Sequence, residues 1–239
     1  MAPNNKKSKQ SRQKSLNKVF LAIGLVVIVV VAVGVYAAIG NSNPNGNATS
    51  TPSPTPSVSP TVTSTASSSP TSQYSATSTK VLLHTSAGDI TLQLRDDKPI
   101  TTSNFINIVK KGWYDGTIFH RVIAGFMIQG GGISQTVPAI NDEIGNNNQN
   151  NNMTIAMAKT SSPNSATSQF FINVANNGNN AIDAQGTKFD SVYTVFGQVI
   201  SGQNVVEAIA NAAVTANSYT GENSQPVNPV TLISATIVS

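Results

Sequence analysis

No charged residue occurs between Lys18 and Lys80. That gap decides which part of the 239-residue chain can build a core. Its first portion, residues 19–39, carries no charge and no strongly polar side chain. A helix rises about 1.5 Å per residue, so this run reaches roughly 30 Å, the thickness of a bilayer's hydrocarbon core. Lys6, Lys7, Lys9, Arg12, Lys14 and Lys18 precede it, and no charge follows it before Lys80. The asymmetry predicts a basic cytoplasmic tail over 1–18, a transmembrane helix over 19–39, and export of everything beyond. A cleaved signal peptide is the rival reading. Its apolar core is typically about 7–15 residues long and ends in a small-x-small site, which Val35-Tyr36-Ala37 supplies only weakly. The anchor makes a single-pass membrane protein with its folded domain outside the cytoplasm, and cleavage makes a secreted one.

The second portion, residues 40–79, is built from Asn, Ser, Thr and Pro with a little Ala, Gly and Val. It has too little apolar surface to offset its chain entropy, which predicts a disordered linker. The Thr51-Pro52-Ser53-Pro54-Thr55-Pro56 core favours extended, polyproline-like geometry and a semi-stiff spacer. A glycosylated stalk is the functional alternative for such a tract. Residues 80–239 remain, enough for one domain with a buried core.

The basic pI belongs to the tail. From Lys80 onward there are eight basic and ten acidic residues, so the folded part lacks the clustered Lys/Arg surface that nucleic-acid binding needs. The chain has no cysteine, which excludes disulfides, thiolate nucleophiles, Cys-ligated zinc and iron–sulfur clusters. With His84 and His120 the only histidines, a multi-histidine metal site is excluded as well. No metal and no cofactor is expected.

Apolar/polar alternation over 81–85 and 90–94, linked at 86–89, predicts a β-hairpin. Thr101-Thr102-Ser103 offers an N-cap, Phe105, Ile108 and Val109 recur at helical spacing, and Gly112 stops the run. Strands are expected over 117–122, 126–129, 154–158, 169–174, 193–199 and 230–238, with a second helix over 202–211. Many short strands and two helices, without strict βαβ alternation, indicate a mainly β chain: a closed antiparallel barrel capped by the two helices. The run Asn146–Asn152 reads as a low-complexity surface loop.

If Gly125 preserves the register, alternation places Arg121 and Gln129 on one sheet face, near Phe126 and Met127. Gln169 and Phe171, two apart on another strand, share a face as well. The resulting patch has one guanidinium, two amides and several large apolar side chains. It holds no nucleophile, no carboxylate pair and no metal-ligand set, which argues against hydrolysis and redox chemistry. Taken singly, each residue has a plainer reading: Phe126, Met127 and Phe171 as core, Arg121 as a solvated face residue, and His120 as structural.

The string Phe119-His120-Arg121-Val122-Ile123-Ala124-Gly125-Phe126-Met127-Ile128-Gln129-Gly130-Gly131 closely resembles the signature of the cyclophilin-type peptidyl-prolyl isomerases. The resemblance continues through Ala156-Met157-Ala158, Ser168-Gln169-Phe170-Phe171-Ile172 and Tyr193-Thr194-Val195-Phe196-Gly197, and covers essentially all of 80–239. It implies an eight-stranded antiparallel barrel with a substrate groove on one outer face. It also implies rotation about X–Pro bonds as the activity, with Arg121 and Gln129 catalytic. Phe126, Met127, Phe171 and Ile182 would form the proline pocket. Ala158 and Lys159 would line the groove, Gln169 the adjoining pocket, and Tyr193 would replace the pocket histidine of many eukaryotic members, as in the bacterial type. Ala181 stands at the groove tryptophan of those members, which implies weaker cyclosporin binding. Gly132 stands where an aspartate usually follows the glycines.

The leading reading is thus a membrane-tethered, extracytoplasmic isomerase acting on proline-containing unfolded or partly folded polypeptides and assisting the folding of exported proteins. The flexible tether makes no obligate oligomer necessary, so a monomer is expected. A non-catalytic chaperone or adaptor that binds proline peptides is the alternative. A weaker third option is a wall protein whose stalk is the functional part. Arg121 favours the enzyme, because binding alone has no need of that guanidinium.

Overall fold

The computed structural model describes residues 78–145 and 147–238. The tail and apolar run expected over 1–18 and 19–39, and nearly all of the 40–79 linker, lie outside the described residues. Among the described residues no helix is long and apolar enough to cross a membrane.

Alternation writes the first hairpin. β1 (Lys80–Thr85) and β2 (Gly88–Leu94) pair antiparallel, with Val81, Leu83, Ile90, Leu92 and Leu94 all turned into the core. The strands β3 (Thr117–Ile118), β4 (Arg121–Ile123), β5 (Met127–Gly130), β6 (Thr154–Met157), β7 (Phe170–Asn173) and β8 (Val195–Ser201) follow. After them come β9 (Val214–Ala216), β10 (Asn223–Pro226) and β11 (Thr231–Val238). Nine strands form one sheet in the order β3-β11-β1-β2-β8-β6-β7-β5-β4, every pairing antiparallel, while β9 and β10 pair as a separate hairpin.

The closed eight-stranded barrel expected from the sequence is met as a curled half-barrel. The run expected as one strand over 117–122 is two, and they lie at opposite ends of the strand order. Phe119 donates its N–H to the Val230 carbonyl (3.0 Å), and His120 donates to the Gln129 carbonyl (3.0 Å). Two consecutive residues therefore bond beside opposite ends of the sheet, next to β11 and on β5. The curl is held by this crossing, and β3 and β4 make no ladder with each other.

Helix α1 (Pro99–Lys110) packs against β11 and drives Phe105 into the interior. There Phe105 meets Tyr114, Phe170 and Phe196, with ring centroids 5.1 to 5.7 Å apart. Burying each such ring contributes about 1.5–3 kcal/mol. The Tyr114 hydroxyl is satisfied by the Ser168 carbonyl at 2.7 Å. Helix α2 (Gln203–Ala210) buries Val206, Ile209 and Ala210. It starts from Gly202 at φ 85°, where a Cβ would lie against the Asp89 carbonyl oxygen, so only glycine fits the turn.

The start of α1 corrects the sequence reading. The helix begins two residues before Thr101, with Pro99 in its first turn and no side-chain cap of its own. Its free N–H groups go to Glu143. Ile100 donates to Oε1 (3.1 Å) and Thr101 to Oε2 (2.8 Å), while Lys98 Nζ donates to the Glu143 carbonyl (2.7 Å). Proline suits the first helical turn because its missing N–H has no partner there anyway. The carboxylate both caps the helix and complements its dipole. We expect Glu143→Ala to lower the unfolding free energy by about 1–2 kcal/mol, read from denaturant melts. An unchanged midpoint contradicts this capping role.

Candidate functional site

The sheet's alternation creates two apolar clusters. On β5, Ile128 faces the interior while Met127 and Gln129 face outward. On β7, Phe170 and Ile172 face in and Phe171 out. On β6, Ile155 and Met157 face in and Ala156 out. Cross-strand pairing then aligns one outward row over five strands: Arg121 opposite Gln129, Gln129 opposite Phe171, Phe171 opposite Ala156, and Ala156 opposite Val195. Arg121 and Gln129 are direct partners, so the Gly125 turn (φ 68°) keeps the register that brings them together.

The outward cluster consists of Phe126, Met127, Ala156, Phe171, Ala181, Phe189, Tyr193 and Val195, with Ala158 packed on its margin. Phe171 stands edge-on to Tyr193 (5.4 Å), and Phe189 lies 4.6 Å from Tyr193 and 5.4 Å from Phe126. Arg121 closes one side. Its guanidinium carbon is 6.0 Å from the Phe126 ring centre, and Nη1 is 3.8 Å from the Met127 sulfur. Its Nε and Nη2 each donate to a Glu222 carboxylate oxygen at 2.7 Å. Gln129 donates to the Gln169 side-chain oxygen at 2.9 Å. The Ala158 N–H donates to the Gln169 carbonyl at 2.9 Å.

Phe126, Met127, Phe171 and Tyr193 thus meet in one cluster beside Arg121, Gln129, Gln169 and Ala158. Two other expected residues are placed differently. Ile182 is 42 % exposed and outside the buried cluster. It pairs with Lys188 in an isolated bridge, so alternation turns its neighbour Ala181 inward and Ile182 outward. Lys159 is bound by Asp142, Nζ to Oδ2 at 2.6 Å with its side chain 6 % exposed, so its charge is already matched.

Three contributors escaped the sequence reading. Phe189 sits in a single 3₁₀ turn, Phe189–Ser191, where periodicity gives no signal. The asparagine run, expected on the surface, is in part interior: Asn148 and Asn150 are buried. Asn148 Nδ2 donates to the Asp190 and Tyr193 carbonyls (2.7 and 2.9 Å), and its Oδ1 accepts the Val195 N–H (2.9 Å). The Asn150 N–H donates to Asp190 Oδ1 at 2.6 Å. These amides hold the wall that carries Phe189 and Tyr193, and a buried amide is retained where every polar atom finds a partner. The third is Glu222, 101 positions from Arg121 in sequence, in the loop of the unforeseen β9–β10 hairpin, just before its second strand.

Electrostatics separates the remaining groups. Burial holds His120 below the usual histidine range, against an opposing hydrogen bond to the Ile118 backbone and with help from the Arg121 charge. It therefore stays neutral near neutral pH and suits a structural role. Burial pushes the Tyr193 hydroxyl up to about 12. Burial also pushes Glu222 upward, but hydrogen bonds from Arg121 and Ser224, together with the guanidinium charge, outweigh it and leave the carboxyl below its ordinary range. Among the described residues no group of three or more His, Cys, Asp or Glu could hold a metal ion.

The row and its cluster define a class: an outward apolar cluster on a curled antiparallel sheet, edged by a guanidinium and two amides. Residues 80–237 match the family model of the cyclophilin type peptidyl-prolyl cis-trans isomerases. A peptidyl-prolyl cis-trans isomerase of Acinetobacter baylyi is 45 % identical over 175 residues, covering 70 % of this chain and 90 % of that protein. The peptidyl-prolyl cis-trans isomerase cyp18 of Streptomyces antibioticus is 47 % identical over 165 residues, covering 66 % and 98 %. A crystal structure of a Cryptosporidium parvum cyclophilin type isomerase, in the presence of the dipeptide Ala-Pro, superposes with a TM-score of 0.55. It is 26 % identical, over 67 % of this chain and 99 % of that one. The chain belongs to the cyclophilin-type peptidyl-prolyl cis-trans isomerases and has that activity.

The ion pair carries a pH signature. A carboxyl depressed in the folded state stabilises it above the unfolded value, here 4.5, and loses that contribution as pH falls through the lower folded value. Melting curves of the wild type and Glu222→Gln should therefore differ by a constant amount above pH 4.5 and converge below it. Curves that stay parallel to the acid limit of folding would show that the pair contributes nothing.

Proposed function

We propose that Arg121 accelerates X–Pro rotation by donating to the imide nitrogen as the bond twists, while the outward slot holds the pyrrolidine ring. The X–Pro bond turns slowly, over tens to hundreds of seconds, because rotation breaks amide conjugation across a barrier near 20 kcal/mol. No covalent bond to carbon is made or cut. At the top of the barrier the nitrogen regains a localised lone pair and becomes a better acceptor. A fixed guanidinium bonds that lone pair in the twisted state and has less to bond in the planar one, which is differential binding of the transition state. Arginine suits the task because it stays charged at every physiological pH and presents a rigid fork.

The observation that carries this reading is the position of the guanidinium, with Nη1 3.8 Å from the Met127 sulfur and its central carbon 6.0 Å from the Phe126 ring centre. The N–H not engaged by Glu222 is thereby directed at the slot where a proline ring fits. Gln129, on the same row, is suited to hold a substrate carbonyl, and Ala158 and Gln169 to continue the groove along the peptide. Ile182, exposed at the rim, is suited to touch a bound ring from outside the cluster. Apolar walls exclude water and strengthen the guanidinium contact.

In the same reading, the substrates are proline-containing segments of exported, unfolded or partly folded chains. The 19–39 run anchors the domain outside the cytoplasm, and residues 40–79 space it from the membrane. The uncharged run of bilayer length and its one-sided basic flank support that placement. Nothing in this arrangement requires more than one copy of the chain.

Arg121→Ala should lower kcat/KM on an Ala-Pro-containing peptide by about a hundredfold, on the order of 3 kcal/mol, the scale of one charge-stabilising donor. A coupled cis/trans assay reads this, and equal rates contradict the mechanism. For the topology, protease added to intact cells should cleave the domain free. Survival of the full-length chain under conditions that digest a surface control contradicts export.

A further inference from the structure

Glu222 has no part in the mechanism above, yet it makes the closest contacts to Arg121. We propose that Glu222 is a positioning residue for the isomerisation: from the β9–β10 hairpin it grips the Nε and Nη2 edge of Arg121 and so presents Nη1 to the proline slot. The proposal rests on the reading that Arg121 donates to the imide nitrogen.

The need for such a grip follows from arginine itself. Its long, flexible side chain has many rotamers to lose, and its contacts to Met127 and Phe126 are weak ones. A paired carboxylate binds the fork in a single plane through two parallel bonds, the strongest and most directional arrangement available to it. Glu222 makes such a pair, both bonds at 2.7 Å. The edge it occupies leaves Nη1 beside the Met127 sulfur. A guanidinium has five N–H donors, so two bonds to Glu222 leave three, one of them resting only on the weakly accepting Met127 sulfur.

The support behind Glu222 is built. β10 packs against β4, the strand that carries Arg121. The turn before Glu222 is cross-tied: Asn217 N–H donates to the Glu222 carbonyl (2.8 Å), and Gly221 N–H to the Asn217 carbonyl (2.8 Å). Asn217 Oδ1 accepts from Tyr219 (2.9 Å) and Thr220 (3.2 Å), and Thr220 Oγ1 accepts the Glu222 N–H (3.2 Å). Ser224 supplies a further hydrogen bond to the carboxylate. A group that orients a reacting donor must itself be held, and small misplacements of such donors cost large factors in rate.

The test is the peptide isomerisation assay on the full chain, comparing wild type, Glu222→Gln, Arg121→Ala and the double variant. We expect Glu222→Gln to lower kcat by roughly tenfold or more with KM little changed. In the Arg121→Ala background the second substitution should cost nothing further, because there is no fork left to hold. A Glu222→Gln enzyme as fast as or faster than wild type, a change confined to KM, or an additional loss in the Arg121→Ala background overturns the proposal. Arg121→Ala at full rate would instead sink the parent reading, whereas a slow Arg121→Ala beside a fast Glu222→Gln sinks this inference alone. Should Glu222→Gln melt without cooperativity, the wild-type chain decides by NMR. The Arg121 Nε–H proton should exchange slowly with water near neutral pH, and free exchange overturns the grip.

Discussion

Between Ile118 and Arg121 the chain passes from one end of the sheet to the other, and two adjacent N–H groups bond to Val230, just before β11, and to Gln129 of β5, each beside an opposite edge strand. An open nine-stranded sheet left to its own twist would present two bare edges. Here the crossing holds the curl, seals Phe119 inside, and launches β4 with Arg121 on the outward face. Every later feature of the site inherits this. β5 returns beside β4 through Gly125, which sets Gln129 opposite Arg121, and β7 and β6 extend the row to Phe171 and Ala156.

The same alternation that fills the interior leaves apolar side chains outside. Phe126, Met127 and Phe171 could have been core, and by burial they are nearly so. Their partners, however, are Phe189, Tyr193 and Ala181 on connecting segments and not the interior cluster around Phe105. A second apolar cluster on the outer face of a sheet, edged by a charge, is the feature on which the proposed binding slot rests. Its walls depend on buried amides. Asn177 Nδ2 donates to the Phe126 carbonyl at 2.7 Å, and Asn148 ties Asp190, Tyr193 and Val195 together.

Much of this was legible in the residues. The first hairpin, the body of α1 with Phe105, Ile108 and Val109 inward, the second helix and the sharing of one sheet face by Arg121 and Gln129 all follow from local periodicity and from the signature string. What stayed hidden has one physical character: it is made by residues far apart in sequence. Glu143 caps α1 from a loop, so the Thr101-Thr102-Ser103 cap signal pointed at least three residues past the true cap position, Lys98. Asn148 and Asn150 are interior because distant carbonyls meet them, and no composition rule reads that from a run of asparagines. The strand over 117–122 breaks because its two halves find different partners. β9 and β10 are short and polar, without sustained alternation, so neither the hairpin nor Glu222 could be seen before the fold placed them.

The proposed catalysis turns on where one guanidinium nitrogen lies relative to a proline. A crystal structure of this chain with an Ala-Pro-containing peptide measures it directly. The expected complex has the pyrrolidine ring against Phe126, Met127 and Phe171, with Arg121 Nη1 within about 3.5 Å of the imide nitrogen. A proline ring seated elsewhere, or a guanidinium turned away from that nitrogen, would contradict it.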